Sequence, residues 1–247
     1  MPQTMTTTLA QALVGTFVKI GSPHVLEVIG TTGLDFVVID TEHAPFDRGL
    51  LDLMMLAGRA AAIPVFVRIP EINPALVLSC LDIGAAGLLV PHVDSVEQAR
   101  AVVSMARYRG GSRGYSSSPR FAGHGILSMS EVLERGDQAQ VICQIESPRA
   151  VASARDIAAV DGIAGLFVGR ADLALSMGLE DPRAPAVLES ARGTLRAARD
   201  AGKLAGIHVA GNAERDAFVQ EGADWFVVSS DQALLRDAIR AITRPTT

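Results

Sequence analysis

Glu146 and Asp172 each stand just beyond a short apolar run, VICQI before the first and GLFV before the second. Carboxylates carried by neighbouring strands can converge on one divalent cation. Their hard oxygen donors suit Mg²⁺ or Mn²⁺, with Co²⁺ and Zn²⁺ as further options. Two protein ligands leave coordination positions open, and a 2-oxo acid can fill two of them with its carboxylate and keto oxygens, the ion serving as a Lewis acid toward an enolate. The competing reading is structural: each carboxylate caps a helix or pairs with an arginine, and Asp172 does precede a short helix-like stretch. Arg68 closes a third run, VFVR, with a permanent forked charge suited to carboxylate or enolate oxygens; a salt bridge to Glu42 or Glu146 would explain it equally well. His43 follows the run that ends in Asp40. It is a candidate general base, directly or through a water, although His24, His92, His124 and His208 show how weak a lone histidine is as a signal. Gln144 shares its run with Glu146.

Other chemistries have fewer residues to call on. A Schiff-base aldolase needs a lysine inside the fold, and the chain has two, Lys19 and Lys203. Lys203 precedes an apolar run and so falls at its wrong end; Lys19 follows one but lacks acid–base company. There is no Walker loop, no GxGxxG before a helix, no CxxC pair and no GxSxG elbow, and Ser116, Ser117 and Ser118 read as a solvated run.

These residues share a position: each sits at the end of a strand. Eight apolar or β-branched runs recur, at 16–20, 36–40, 65–68, 87–90, 141–146, 165–168, 204–209 and 225–229. Between them lie helical patterns at 24–29, 49–62, 75–83, 96–107, 151–158, 188–201, 213–221 and 232–242. Such alternation implies parallel βαβ units, and a count of eight predicts closure into a (β/α)8 TIM barrel, whose active site lies at the C-terminal ends of the strands. Asp40, Arg68, His92, Gln144, Glu146 and Asp172 all fall there. Gly33, Gly84 and Gly222 fit the left-handed position that ends a helix. The stretch 109–128, rich in glycine and serine, is the one long irregular segment, and loops of that length are often functional.

The 247 residues suit one barrel domain, 1–247. Residues 1–8 read as a flexible terminus. At 49% hydrophobic but 4% aromatic, the core must be built from Ala, Val, Leu and Ile. A net charge of −5 with acids and bases interspersed argues against nucleic acid as a partner. No apolar run is long enough to span a membrane, and MPQTMTTTLAQ lacks the pattern of a signal peptide. Cys80 and Cys143, both in apolar segments, read as reduced core residues of a cytoplasmic protein.

The sequence resembles the HpcH/HpaI aldolases, metal-dependent pyruvate aldolases of aromatic and sugar-acid catabolism. The matching phrases are FVVIDTEHAPFD (36–47), VFVRIPEINP (65–74), CLDIGAAGLLVPHVDSVEQAR (80–100), ARYRGGSRGYSS (106–117), VICQIES (141–147) and GLFVGRADLALSMG (165–178). The resemblance implies cleavage of a 4-hydroxy-2-oxo acid to pyruvate and an aldehyde, and the reverse addition. It implies Glu146 and Asp172 as ligands of a divalent metal, Arg68 on the keto or enolate oxygen, and His43 as the acid–base group with Asp40 in its phrase. Asp82 would support that histidine and Gln144 would lie near pyruvate. Backbone amides of Gly169, Arg170, Ala171 and Asp172 would meet the substrate carboxylate. It further implies a homo-hexamer, a trimer of dimers, with the C-terminal helix at about 231–243 exchanged between subunits. Two departures stand out. Arg170 replaces the proline of the family's G-P-A-D-L-S phrase, which leaves it either pointing outward or meeting a second acidic group on the substrate. Phe17 stands where a tryptophan is usual. Rival readings are an acyl-CoA lyase, for which Arg107, Arg109, Arg113 and Arg120 would receive the nucleotide, a 2-oxo-acid-condensing synthase, and a ligand-binding barrel without turnover.

Overall fold

The computed structural model describes residues 12–243, so the expectation for residues 1–8 lies outside it. Eight parallel strands close in sequence order into one barrel. They are β1 (Leu13–Val18), β2 (Phe36–Asp40), β3 (Val65–Arg68), β4 (Gly87–Val90), β5 (Gln140–Ile145), β6 (Ile163–Val168), β7 (Leu204–Val209) and β8 (Trp225–Ser230). The helices between them are α1 (Pro23–Ile29), α2 (Arg48–Ala60), α3 (Pro74–Asp82), α4 (Val96–Ala106), α5 (Met129–Gly136), α6 (Pro148–Ala158), α7 (Arg170–Ser176), α8 (Pro185–Asp200) and α9 (Asn212–Gln220), and α10 (Asp231–Thr243) follows β8.

All eight expected strands are present; β1 begins earlier than its composition suggests. Gly33, Gly84 and Gly222 do adopt positive φ, at 79°, 103° and 92°. One short helix, α5, lies outside the expected elements, and α7 is the short helix-like stretch that follows Asp172, begun two residues earlier. α5 forms because Ser128 and Glu131 complete a capping box. The expected irregular stretch 109–128 holds a 3₁₀ turn, Arg120–Gly125.

Alternation along each strand divides the apolar residues into two clusters. Outward positions such as Val37, Ile39, Val67, Val90, Val141, Cys143, Val168 and Ile207 join the helices in the larger one. Inward positions Phe17, Phe36, Val38, Phe66, Leu89, Ile142, Phe167, Trp225 and Val227 fill the barrel itself. The eight phenylalanines and the one tryptophan of the sequence are thus used disproportionately in the lumen. Trp225 stacks on Phe36 with centroids 4.3 Å apart, and Phe66 and Phe167 meet it edge-on at 5.5 and 5.6 Å. Gly15 makes room for this layer, since a Cβ there would stand 2.5 Å from the Phe36 ring. The aromatic plug closes the floor beneath the polar mouth. Trp225→Ala should therefore lower stability by about 3–5 kcal/mol, read as a shift in the urea midpoint.

Candidate active site at the barrel mouth

Following the same inward positions upward, the side chains change character. β2 runs Phe36, Val38, Asp40; β3 runs Phe66, Arg68; β5 runs Ile142, Gln144, and Glu146 follows. Asp40 and Arg68 are register partners on adjacent strands. Their side chains meet in a forked pair, Arg68 Nε donating to Asp40 Oδ1 at 2.9 Å and Nη2 to Oδ2 at 2.7 Å. Lys19, just past β1, brings its Nζ within 3.0 Å of Oδ2. Asp40 Oδ1 also accepts from the backbone N–H groups of Glu42 and His43 at 3.3 and 3.2 Å, which shapes the loop after β2. Burial opposes charge on Asp40, but the hydrogen bonds and charges of Arg68 and then Lys19 prevail and hold its carboxyl down to about 2. Arg68 also lies 3.3 Å from Glu42 Oε2 and packs over the Phe17 ring at 4.5 Å. Two of the three guanidinium nitrogens are thus engaged, and Nη1 has no partner among the described residues.

Glu146 and Asp172 come together on the far side. β5 and β6 pair with Ile145 opposite Val168, which brings Glu146 beside Gly169, where α7 begins. A Cβ at Gly169 would stand 2.9 Å from Glu146 Oε2 and 3.1 Å from Gln144 Nε2, so glycine permits this approach. Glu146 is buried and accepts a short hydrogen bond from Gln144 Nε2. Burial pushes its carboxyl up; hydrogen bonds from Gln144 and the His92 backbone oppose that, and the charge of Asp172 adds to it. The two carboxylates therefore stand close enough to repel each other. Asp172 lines the mouth and has no cationic partner among the described residues. Gln144 Oε1 and Glu42 Oε2 are buried without a hydrogen-bond donor. Two carboxylates with the unsatisfied Gln144 Oε1 beside them are the donor set of a hard cation, and the residues fit one. Among the described residues no three His, Cys, Asp or Glu side chains form a ready metal cluster; Glu146 and Asp172 would hold the ion with oxygens from substrate and water.

A cavity of about 540 Å³ joins the two sides, touching Phe17, Lys19, His43, Arg68, Gln144, Asp172 and His208. A second cavity of about 520 Å³ lies at the opposite end against Val65, Gly84 and Ala86, and its wall contains no carboxylate or histidine. The chemistry belongs to the first.

Three expectations need correction. Asp82 does not reach His43. It ends α3 at the other end of the barrel, where Arg113 Nη2 donates to it at 3.0 Å, because a helix between parallel strands runs back to the floor. Arg170 neither points outward nor offers a free cation. It is buried, with Nη1 2.8 Å from Glu214, Nη2 donating to the His208 carbonyl at 3.0 Å, and its plane over Phe218. It ties the turn before α7 to β7 and α9. The arginines suggested for a nucleotide are engaged as well: Arg107 with the carbonyls of Ala139 and Gly162, Arg113 with Asp82, Arg120 with Asp52, and Arg109 beside Asp137. Arg68 is paired with Asp40 and approached by Glu42, not Glu146.

His43 is half exposed, with Nε2 3.6 Å from Glu42 Oε2. His92, set aside in the sequence as one histidine among several, contacts both Glu42 and Glu146. His208 is half-buried against Phe17; desolvation, then the charge of Arg170, lowers its pKa to about 4, which favours a neutral ring in the wall. Lys19 is bound to Asp40, and an ammonium locked to a carboxylate is not the free amine a Schiff base requires.

The fold and mouth define a (β/α)8 barrel with an anchored arginine and acidic side chains at its open end. The chain belongs to the HpcH/HpaI aldolase/citrate lyase family, whose model matches residues 13–238, and this places it among carbon–carbon lyases of the aldolase type. It is 33% identical over 230 residues to a hydroxypyruvate/pyruvate aldolase of Roseovarius nubinhibens, covering 92% of this chain and 90% of that one. It is 36% identical over 230 residues to a 5-keto-4-deoxy-D-glucarate aldolase of Salmonella arizonae, covering 92% and 89%. The crystal structure of an HpcH/HpaI aldolase/citrate lyase family protein from Burkholderia cenocepacia J2315 superposes with a TM-score of 0.90 at 33% identity, covering 94% of this chain and 93% of that one.

Two outcomes test this geometry. Asp40→Ala strands two cations and should cost on the order of 3 kcal/mol, measured by chemical denaturation. For His208 the folded pKa lies below the ordinary value of 6.5, so the unfolded chain binds the proton more readily. Stability is then full above about pH 6.5 and falls as pH drops toward 4. His208→Gln should flatten that part of a Tm-against-pH profile.

Proposed function

We propose that this enzyme cleaves a 4-hydroxy-2-oxo acid to pyruvate and an aldehyde, and runs the addition in reverse, with a divalent cation held by Glu146 and Asp172. The observation that carries the reading is Arg68, fixed by Asp40 with Nη1 unpartnered among the described residues and lining the same cavity as Asp172, whose charge acts on the neighbouring Glu146. When bound, the cation supplies Lewis-acid stabilisation to the 2-oxo acid. Arg68 faces the keto oxygen and balances the negative charge that grows there as the C3–C4 bond breaks. Holding the guanidinium rigid beforehand removes reorganisation from that step. His43, acting through a water, takes the 4-hydroxyl proton; the bond electrons pass to C3, the aldehyde departs, and C3 is then protonated to give pyruvate. The N–H groups of Arg170, Ala171 and Asp172 open α7, where helical amides lack internal partners, and they receive the substrate carboxylate. Phe17 and neutral His208 keep the wall beside Arg68 apolar, which strengthens its charge toward substrate.

A homo-oligomer accompanies this reading. Leu235, Ile239 and Ile242 lie on one face of α10 and are 54%, 48% and 84% exposed. A second copy, in the hexameric arrangement the family resemblance implies, would cover that face, with α10 exchanged between subunits. No helix among the described residues is long and apolar enough to cross a membrane, and the reading places the enzyme with its small-molecule substrates in the cytoplasm.

The test is pyruvate release, coupled to lactate dehydrogenase, from a panel of 4-hydroxy-2-oxo acids with Mg²⁺, Mn²⁺, Co²⁺ or Zn²⁺. Release should require a divalent ion and stop with chelator. Glu146→Gln and Asp172→Asn should fall to background, and Arg68→Met should lower kcat about 10²–10³-fold. Release that ignores the chelator, or citramalyl-CoA cleaved in preference to every such acid, would contradict it.

A further inference from the structure

His92 follows β4 through Pro91 and sits in the left-handed region at φ 57°, uncommon for residues other than glycine, although asparagine, aspartate and histidine enter it more often than the rest. Strain of this kind persists where surrounding contacts demand it. Here it brings two groups to one atom: the His92 backbone N–H donates to Glu146 Oε1 at 2.7 Å, and ring Nδ1 lies 2.9 Å from the same oxygen. Ring Nε2 lies 3.3 Å from Glu42 Oε1, so the imidazole bridges the loop after β2 and the end of β5. Glu146 Oε2 meanwhile faces Gln144 and the turn at Gly169, the side from which Asp172 approaches.

We infer that His92 is a positioning residue for the metal carboxylate. With its backbone N–H bonded to Glu146 Oε1 and its ring held against the same oxygen, it orients the side chain so that Oε2 is left toward Gln144 and the turn at Gly169 that leads to Asp172. This rests on the metal site proposed above and extends it to a residue with no ligand role of its own. Groups that orient a metal ligand change affinity by about 10–100-fold when removed. The His92 ring is 63% exposed, so the lower end of that range applies.

Mn²⁺ affinity, measured by electron paramagnetic resonance titration of free ion, reads this without turnover. Two variants separate ring from backbone. His92→Gly keeps the N–H and removes both ring and strain; His92→Asn tolerates the left-handed backbone and restores a side-chain donor. His92→Gly should weaken Mn²⁺ binding about tenfold, and His92→Asn should recover part of the loss, with wild-type Tm in both. Affinity unchanged in His92→Gly would overturn the role of His92 while leaving the metal site standing. A wild-type protein that takes up no Mn²⁺ would overturn the site and this inference with it.

Discussion

Side chains on a β-strand alternate between its two faces, and when eight strands close into a barrel one face is sealed inside a tube of backbone. That constraint governs everything at the mouth of this protein. A residue at an inward position has two choices: to fill the lumen, or, if it is the last inward residue, to stand at the rim. Phe36 and Val38 take the first course and Asp40 the second, two residues apart on the same face of the same strand. Ile142, Gln144 and Glu146 repeat the progression on β5. The rim therefore collects charge above a floor of stacked aromatic rings.

Collecting charge in a semi-enclosed place is costly, and the manner in which it is balanced separates the two sides of the site. On the β1–β2–β3 side Asp40 is saturated by Arg68, Lys19 and two backbone amides, and its pKa is held well below the ordinary carboxylate range. That side is rigid and electrostatically closed, apart from one nitrogen of Arg68. On the β5–β6 side the charges of Glu146 and Asp172 oppose each other and the Gln144 Oε1 lacks a donor. An arrangement settled on one side and unsettled on the other is what a site needs if a cation and an oxyanion are to complete it.

Much of this was legible in the sequence because strand ends and inward parity are both encoded by short-range pattern. Runs such as FVVID and VFVR show where a strand stops and which residue stops it, and the strand bounds for β2, β3, β4 and β7 agree with the structure at both ends. The illegible parts depend on where helices lead and what a side chain meets at a distance. Asp82 lies in a phrase shared with the family, but α3 carries it to the floor, against Arg113. Arg170 sits beside Asp172 in sequence, yet Glu214, supplied from α9, draws its guanidinium away. The significance of His92 rests on a positive φ at a non-glycine residue, which no composition reveals. α5 escapes the pattern because it is too short for a full period of apolar residues; the capping box at Ser128 is its available sign.

The central claim is that Glu146 and Asp172 share one divalent ion in front of Arg68. The most direct measurement is a crystal structure of the enzyme grown with Mn²⁺ and pyruvate, with anomalous scattering collected to locate the metal. A single peak within bonding distance of both carboxylates, and a pyruvate whose keto oxygen faces Arg68 Nη1, is the expected result. A peak bound elsewhere, or one bound by only one of the two carboxylates with pyruvate turned from Arg68, would contradict the account.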